Sequence, residues 1–243
     1  MLIINADDWG RSPQETDLAL ACHRAGRITS VSAMVFMADS ARAAALAREN
    51  RVDVGLHLNL SQLYDGPAVP EAARQSQAQL VHFMTKSKYA LLVYHPGLRR
   101  HFQRVIRDQL EEFTRLYGQA PTHVDGHQHR HLAANVVFGN LLPKGQRVRR
   151  NFSFWPGEKS ALNRAYRWGV DRWLAGRYRL ADYFFSLEDC LRWNRFERVF
   201  QLAAKVKVEL MTHPAHGDEY TWLMSDAGKT SLQRLELAPY ARM

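Results

Sequence analysis

The sequence predicts an α/β fold made of parallel βα units in a single domain. Three observations support this prediction: short apolar runs alternate with amphipathic segments, a strong apolar run recurs late in the chain, and no linker or repeat divides the 243 residues. Strands that alternate with helices favour one parallel sheet. With 46% hydrophobic and 23% charged residues, the chain can bury a full core, which excludes intrinsic disorder as its main state.

The first half of the chain contains the clearest elements. Residues 2–6 form a short apolar run that predicts a buried strand. A helix should begin at Ser12 and Pro13, because serine caps helices and proline suits the first turn, and it should end before Gly26. The next expected elements are a strand over residues 29–36, a helix over 39–49 and a strand over 52–60.

The second half is less regular at first. Residues 61–97 are expected to form an irregular insertion or loop. Over residues 98–117, apolar side chains recur every three or four positions, which predicts a helix with one buried face. The remaining expected elements are a strand over residues 122–125, a helix over 132–142 and a strand over 206–211.

Cysteine content and hydropathy exclude several classes of protein. Cys22 and Cys190 are the only cysteines, so a disulfide framework is excluded and reduced thiols are expected. No apolar stretch approaches the ~20 residues that span a bilayer, and no secretory leader precedes the first strand. These features predict a cytoplasmic enzyme.

Polar clusters follow four of the predicted strands. They are Asp7-Asp8, His57, the stretch 123–131 with four histidines, and His213 with His216. The carboxyl ends of parallel strands gather on one face of a sheet or barrel, where loops build active sites. The four clusters are therefore expected to share one site.

Two of these clusters also have plain structural interpretations. Adjacent side chains on a strand point to opposite faces, so Asp7 and Asp8 can serve one site only where the strand turns, which Gly10 would permit. Alternatively, one aspartate caps the helix near Pro13. His57 could equally be a core histidine with its hydrogen bonds satisfied.

The stretch 123–131 carries the strongest signal. It combines four imidazoles with the carboxylate of Asp125, and imidazole plus carboxylate is the ligand set of a catalytic divalent ion. The alternative is a metal-binding tract on the surface. His213 lies between a strand and Pro214, a rigid position that suits a proton donor or acceptor, although it could also be a turn histidine that bonds its own loop.

Four motifs together resemble the YdjC-like carbohydrate deacetylases, a family that includes the chito-oligosaccharide deacetylase and the deacetylase associated with hopanoid biosynthesis. The motifs are NADDWG at residues 5–10, GLHL at 55–58, THVDGHQH at 122–129 and MTHP at 211–214. They follow the family's order, so the resemblance spans about residues 1–217. Weaker similarities lie at residues 181–187 and 237–241.

The resemblance implies a distorted TIM-like (β/α) barrel and a hydrolase that removes acetyl from an N-acetylated sugar, in an oligosaccharide or a glycolipid. It implies that Asp8, His57 and His127 hold one divalent ion. Asp7 would be the general base and His213 the candidate acid. The family favours Mg²⁺, whereas two imidazoles and one carboxylate suit Zn²⁺ equally well.

The remaining polar residues near His127 have less defined roles. Asp125 is expected to orient His127, because imidazole ligands usually hydrogen bond to a carboxylate. Either His129 or His131 could line the sugar site, and both could instead be loop residues that face solvent. Gly126 departs from the serine of the chito-oligosaccharide enzyme, which leaves the substrate open.

A basic aromatic segment covers residues 144–198. It has thirteen Lys and Arg against six Asp and Glu, and twelve of the 26 aromatic residues. A helix in this segment is expected to expose Arg164, Arg167 and Arg172 to solvent. Its buried face is expected to carry apolar residues, namely Leu162, Tyr166, Val170, Trp173 and Leu174. The alternatives are an aromatic platform for a sugar with an anionic group and a peripheral contact with an anionic membrane. No nucleic-acid-binding motif is present.

Two other functions stay open. A metallo-phosphoesterase also uses Asp and His at strand ends, but it needs two metal ions and more bridging carboxylates. A non-catalytic protein could bind anionic glycan or lipid through the segment 144–198. The glycan, the physiological ion and the assembly state, a homodimer included, are not determined by the sequence.

Overall fold

The computed structural model describes residues 1–87 and 89–243. Within them, the strands are β1 (Leu2–Trp9), β2 (Ser30–Ala33), β3 (Val54–Leu58), β4 (Val124–Gly126), β5 (Tyr183–Ser186) and β6 (Val208–Thr212). All neighbouring strands pair in parallel, in the order β4-β3-β2-β1-β6-β5. The predicted parallel α/β fold is confirmed, and β5 is a strand that the sequence pattern did not predict.

The helices connect and cover these strands. They are α1 (Pro13–Arg24), α2 (Ser40–Asn50), α3 (Glu71–Lys86), α4 (Arg99–Tyr117), α5 (Ala134–Val137), α6 (Ala161–Ala175), α7 (Leu187–Trp193), α8 (Phe196–Ala203), α9 (Gly217–Met224) and α10 (Asp226–Leu232). Short 3-10 turns occupy Ala90–Leu92, Pro96–Leu98, His127–Leu132 and Tyr240–Arg242. In the described part of the chain, no helix combines the length and apolar character that a bilayer crossing needs.

The sheet is curled, because one segment connects its two outer strands. Val148 forms a parallel bridge with Val124 on β4, and Arg147 forms one with Arg179, just before β5. Further along, the backbone N–H of Ser153 donates to the carbonyl of Phe184 on β5 (2.9 Å). Six strands do not make a full eight-stranded TIM barrel, but the curled sheet is consistent with the distorted barrel that the family resemblance implies.

Local sequence signals explain the helices that were predicted well. Ser12 caps α1 by accepting a hydrogen bond from the backbone N–H of Glu15 (3.4 Å), and Pro13 is its first residue. Helix α4 ends at Gly118, whose φ of 71° a left-handed cap requires. Its buried face carries Phe102, Val105, Ile106, Gln109, Phe113 and Tyr117.

Two expectations about irregular and helical segments are wrong. The segment 61–97 contains the 16-residue helix α3, which buries Leu80 and Met84 and packs against α4. Conversely, the helix expected over 132–142 is limited to the four residues of α5. It stops early because Asn140 takes a left-handed conformation with φ of 51°.

The prediction for α6 is wrong in an informative way. Leu162, Tyr166 and Trp173 are 81%, 48% and 53% exposed, although all three were expected to be buried. The buried residues of α6 are Asp171 and Leu174. The Asp171 carboxylate accepts hydrogen bonds from the Arg150 guanidinium (2.8 and 3.1 Å) and from the backbone and side chain of Asn151 (3.0 and 2.9 Å). Helix α6 is therefore attached through polar contacts of Asp171 as well as through Leu174 and Val170, and much of its aromatic face remains in solvent.

Candidate functional site

The sheet register brings the predicted polar residues to one edge. Ala6 on β1 pairs with Thr212 on β6, so Asp7 and His213 directly follow a matched pair. On the other side, His57 on β3 pairs with Asp125 on β4, and His127 begins the turn after β4. The carboxyl ends of the strands thus gather as the parallel pattern predicts.

A local turn in β1 lets two adjacent carboxylates face the same site. Asp8 has a φ of 63°, and the pairing of β1 with β2 shifts register between Ala6 and Trp9. The turn occurs at Asp8 itself, before Gly10. Neither aspartate caps α1, because Ser12 has that role. The irregular backbone removes the usual alternation of side chains between the two faces of a strand.

Asp8, His57 and His127 form a compact group of metal-ligating atoms. Asp8 Oδ1 lies 3.3 Å from His57 Nε2 and 3.0 Å from His127 Nδ1. One ligand atom from each residue lies within 4.8 Å of the other two. Two nitrogens and one oxygen at these separations fit a divalent ion with open coordination positions.

The same two imidazoles control the ionisation of Asp8. Burial disfavours the charged carboxylate, but hydrogen bonds and charge from His127 and His57 outweigh it and hold the pKa of Asp8 well below its usual range. The two imidazoles therefore favour the ionised carboxylate of Asp8, which is the form that binds a metal ion.

Asp125 holds the opposite side of the His57 ring. The Asp125 Oδ1 to His57 Nδ1 distance is 2.8 Å, so Nε2 of His57 is directed at Asp8. The expectation that Asp125 orients His127 is therefore wrong, because the register places Asp125 beside His57 on the neighbouring strand. Burial lowers the pKa of His57, but the charges of Asp125 and Asp7 outweigh it and raise the pKa to about 10.

Asp7 forms a buried ion pair with Arg149, a residue that the sequence analysis did not single out. The two terminal guanidinium nitrogens of Arg149 each lie 2.7 Å from an oxygen of Asp7. The Asn5 side chain donates a further hydrogen bond to Asp7 Oδ1 at 2.9 Å. Asp7 Oδ2 also lies 3.9 Å from His57 Nδ1, so the carboxylate is fixed beside the metal-ligating group.

Arg149 is shared by three carboxylates. Besides Asp7, it contacts Asp125 (2.7 Å) and Glu209 on β6 (2.6 Å), and the Arg149 side chain is fully buried. Burial, with the repulsion of Asp125 and Asp7, raises the pKa of Glu209 to about 7, although Arg149 and the hydroxyl of Tyr240 oppose this. The local pattern of Arg147-Val148-Arg149 gives no signal for this role, because a charged residue there is expected to face solvent.

A layer of neutral groups completes the buried network. The Ser32 hydroxyl donates to Asp125 Oδ2 (2.7 Å) and lies 3.0 Å from His123 Nε2. The His123 ring stacks on Tyr240, with centroids 3.7 Å apart, and packs over Gly55, where a Cβ would meet it at 2.3 Å. Burial lowers the pKa of His123 to about 4, so the ring is neutral and is not part of the metal-ligating group.

The other two histidines of the stretch 123–131 have separate surroundings. His131 is buried and lies 3.0 Å from the carbonyl of Arg149 through Nε2. A Cβ on Gly126 would lie 2.8 Å from the backbone N of His131, so this position has little room for a side chain. His129 has a left-handed φ of 57° and lies edge-on to Phe152, with centroids 4.6 Å apart.

His213 is half-buried at the end of β6 and belongs to a different group. Its backbone N–H donates to Glu219 Oε2 (3.0 Å), and its ring stacks on His216 with centroids 4.9 Å apart. The register brings His213 to the same edge of the sheet as Asp7, as expected. It is thus a turn histidine that contacts its own loop and also one that borders the candidate site.

The chain is similar in sequence to several proteins named as deacetylases. The chain is 31% identical over 251 residues to a human carbohydrate deacetylase, covering 88% of this chain and 75% of that protein. It is 30% identical over 249 residues to the mouse carbohydrate deacetylase (88% and 78%). A chitooligosaccharide deacetylase from Serratia marcescens is 29% identical over 141 residues (56% and 52%).

A solved structure supports the fold. A protein from Enterococcus faecalis, proposed to cleave cellobiose phosphate, superposes with a TM-score of 0.67 at 19% identity, covering 99% of this chain and 97% of that one. At this identity the likeness concerns the fold alone. The family model described as "YdjC-like protein" matches residues 1–241, and the chain therefore belongs to the YdjC-like family.

Proposed function

We propose that the chain is a metal-dependent carbohydrate N-deacetylase, a hydrolase of the amide C–N bond of an N-acetylated sugar. One observation carries the proposal: Asp8 Oδ1, His57 Nε2 and His127 Nδ1 converge beside a second buried carboxylate, Asp7. The names of the related deacetylases support the same activity. The substrate is an oligosaccharide or a glycolipid that carries an N-acetyl group.

Asp8, His57 and His127 would hold the ion, which we propose to be Mg²⁺ or Zn²⁺. When bound, a divalent ion lowers the pKa of water and polarises the amide carbonyl. Asp125 contributes by holding His57 Nδ1, so that Nε2 stays directed at the ligand group. The donor set of two nitrogens and one carboxylate suits Zn²⁺ and also accommodates Mg²⁺.

Asp7 would act as the general base. Arg149 and Asn5 engage its two oxygens and fix their direction. Each carboxylate oxygen has a second lone pair, so Asp7 can still accept a proton from water. Because Asp7 is bonded to Arg149, the arginine is proposed to position the base.

His213 would donate a proton to the departing amine, which is otherwise a poor leaving group. The ring is about one-quarter exposed, at the same edge of the sheet as Asp7. Glu219 holds the backbone of His213 and lies 3.9 Å from its Nδ1, so the ring is anchored without being fully buried.

A cavity between α6 and the turn after β4 could receive the sugar. It measures about 520 Å³, and its walls include His129, Phe152 and Asn151 together with Tyr166 and Arg167 from α6. His129, in the wall of the cavity, belongs to the same turn after β4 as the proposed ligand His127. This volume suits a small-molecule ligand, and the mix of aromatic faces and amide groups suits a sugar ring. We propose that part of the segment 144–198 thereby contributes to substrate binding.

Other features of the sequence analysis stay predictions. These are the single domain with an inserted segment at 61–97, which is helical and not irregular, the cytoplasmic location, a homodimer, and a membrane contact through the basic aromatic segment 144–198. The exposed aromatic residues of α6 are compatible with such a contact.

The decisive test is release of acetate from N-acetylglucosamine oligomers by the purified chain with Mg²⁺ or Zn²⁺. We expect activity that a chelator abolishes and that the added ion restores. Hydrolysis of a phosphate ester such as p-nitrophenyl phosphate in place of acetate release would favour the phosphoesterase alternative. Binding of the oligomers without release of acetate, under conditions where the ion is bound, would favour a non-catalytic protein.

A further inference from the structure

We propose that His213, His216 and Glu219 form a second metal site, which binds Zn²⁺ and thereby inhibits the enzyme. The metal-binding half of this proposal stands on geometry alone. The inhibitory half rests on the proposed function, because it assumes that His213 supplies a proton. The site lies between the end of β6 and the first turn of α9.

The three side chains place their ligand atoms around a common point. Glu219 Oε1 lies 3.2 Å from His216 Nδ1 and 3.9 Å from His213 Nδ1, and the group lies within 4.8 Å. Zinc bonds of about 2.0–2.2 Å in tetrahedral geometry separate ligand atoms by about 3.3–3.6 Å. Small side-chain movements would therefore complete three ligands and leave one position for water.

The carboxylate of Glu219 is held in the required orientation. Its Oε2 accepts hydrogen bonds from the hydroxyl of Thr212 (2.8 Å) and the backbone N–H of His213 (3.0 Å). These two donors leave Oε1 directed at both imidazoles. Glu219 is only 2% exposed, so water does little to compensate the charge of its carboxylate. A bound cation would compensate the charge directly.

The site is open to solvent on one side. The His216 side chain is 61% exposed, and a cavity of about 890 Å³ reaches His216 and Glu219. Two further carboxylates, Asp218 and Glu188, line this cavity and would attract a cation, against one arginine. That arginine, Arg192, lies over the ring of Trp193, with 5.0 Å between its guanidinium carbon and the ring centroid.

Zinc would compete with a proton for His213. An imidazole nitrogen must be deprotonated to bind the ion, so Zn²⁺ binding at Nδ1 releases any proton held there to solvent. The other ring nitrogen keeps its proton, but a metal-bound neutral imidazole is a much weaker acid than imidazolium. His213 would then be fixed between the ion and its backbone contact with Glu219, and it could no longer protonate a leaving amine.

The first experiment measures Zn²⁺ stoichiometry by isothermal titration and by elemental analysis after gel filtration. We expect two ions per wild-type chain, one in His216→Ala and one in His127→Ala, whose second site is intact. The matched control is His82→Ala, an exposed histidine outside both groups, which should bind two. Because His216 is exposed, its replacement should not disturb folding, and circular dichroism would verify this.

In His216→Ala, the affinity of the second site for Zn²⁺ should fall by at least ~10-fold. Mutating a residue that only hydrogen bonds to a metal ligand already lowers metal affinity by about that factor. Cobalt as a probe should give a tetrahedral spectrum for this site in His127→Ala. A single ion in the wild type that His216→Ala keeps and His127→Ala loses would overturn the proposed site. Two ions of unchanged affinity in His216→Ala would overturn it as well.

The second experiment measures acetate release while Zn²⁺ is raised from one to several equivalents. Wild-type turnover should fall as the second site fills, whereas His216→Ala should keep its own one-equivalent rate. Full occupancy with unchanged turnover would overturn the inhibitory half. Absence of acetate release from every variant would refute the proposed function and the inhibitory half with it, while the stoichiometry would still decide whether the site exists.

Discussion

Arg149 and Asp7 meet in a two-pronged ion pair in the interior, with both N–O distances at 2.7 Å. The pair connects the segment between β4 and β5 to the end of β1, which are distant in sequence. The same guanidinium also contacts Asp125 and Glu209, so a single cation offsets the charges of three buried carboxylates. The ionisation of the candidate site is thus coupled, through Arg149, to that of the carboxylates inside the sheet.

Replacement of Arg149 by Met should destabilise the fold by about 3–5 kcal/mol, because it leaves buried carboxylates without their cation. In the variant the pKa values of these carboxylates should rise. The folded state then binds more protons than the unfolded state, so stability is present at low pH and is lost as pH rises. Urea unfolding from pH 5 to 8 would test this, and a loss of stability that does not vary with pH would contradict it.

The Asp7→Asn variant tests the general base. We expect it to retain the metal and to lose turnover by ~10²–10⁴-fold, the usual contribution of general base catalysis. Metal content and unfolding should be measured on the same preparation, because the neutral amide of the variant also loses the ion pair with Arg149. Near-full activity in a metal-loaded variant would show that Asp7 is not the base.

The His127→Ala variant tests the metal ligands, with His129→Ala as its matched control. The first removes an atom that lies 3.0 Å from Asp8, whereas His129 packs on Phe152 and is not in the ligand group. We expect elemental analysis to show loss of the ion of this site from His127→Ala and its retention by His129→Ala. Equal metal content in both variants would exclude His127 as a ligand.

Gly126→Ala should lower stability by about 1–3 kcal/mol, since its Cβ would lie 2.8 Å from the backbone N of His131 and the core would be overpacked. Gly169→Ala is the matched control, because nothing lies within 4 Å of a Cβ at that exposed position in α6. It should raise stability by about 0.5–1 kcal/mol, the usual gain in a helix. Denaturant unfolding should therefore give a lower free energy of unfolding for Gly126→Ala and a higher one for Gly169→Ala than for the wild type.

His131 should contribute to instability in acid. Burial lowers its pKa from 6.5 to about 4, so between these values the unfolded state binds the proton and the folded state does not. Stability is therefore present above pH 6.5 and falls towards pH 4, by about 1.4 kcal/mol per pH unit for this group. His131→Gln keeps a donor for the Arg149 carbonyl and should reduce the slope by one proton, whereas the exposed control His82→Gln should not. Identical slopes in all three proteins would refute the assignment.

Much of the site was predictable because its residues follow strands in the sequence. Asp8, His57 and His127 each lie at or just after the end of a strand, and a parallel sheet necessarily collects such ends at one edge. The four motifs also predicted the family, which the match over residues 1–241 confirms. The sequence analysis missed two buried residues that do not follow a strand end. Glu209 is inside β6, and Arg149 is in a segment that looked like a basic surface.

The α6 prediction shows why pattern alone was insufficient. Tyr166 and Trp173 have the spacing of a buried face, yet Asp171 is the residue that faces the interior, since Arg150 and Asn151 are positioned to bond it. Hydrophobic periodicity predicts that a helix forms, but a buried polar partner can reverse which face packs. That partner is visible only after the chain has folded.

The order of residues alone determined the parallel α/β class, the family and the strand ends that carry Asp7, Asp8, His57, His127 and His213, because these depend on local periodicity and chain order. Tertiary structure decided which imidazole Asp125 holds, which cation fixes Asp7, and that Glu219 joins His213 and His216. The first two pairings depend on strand register and on the charge balance of a dry interior, where a buried ion finds its partner across a long sequence separation. Glu219 meets its two histidines because α9 begins shortly after β6.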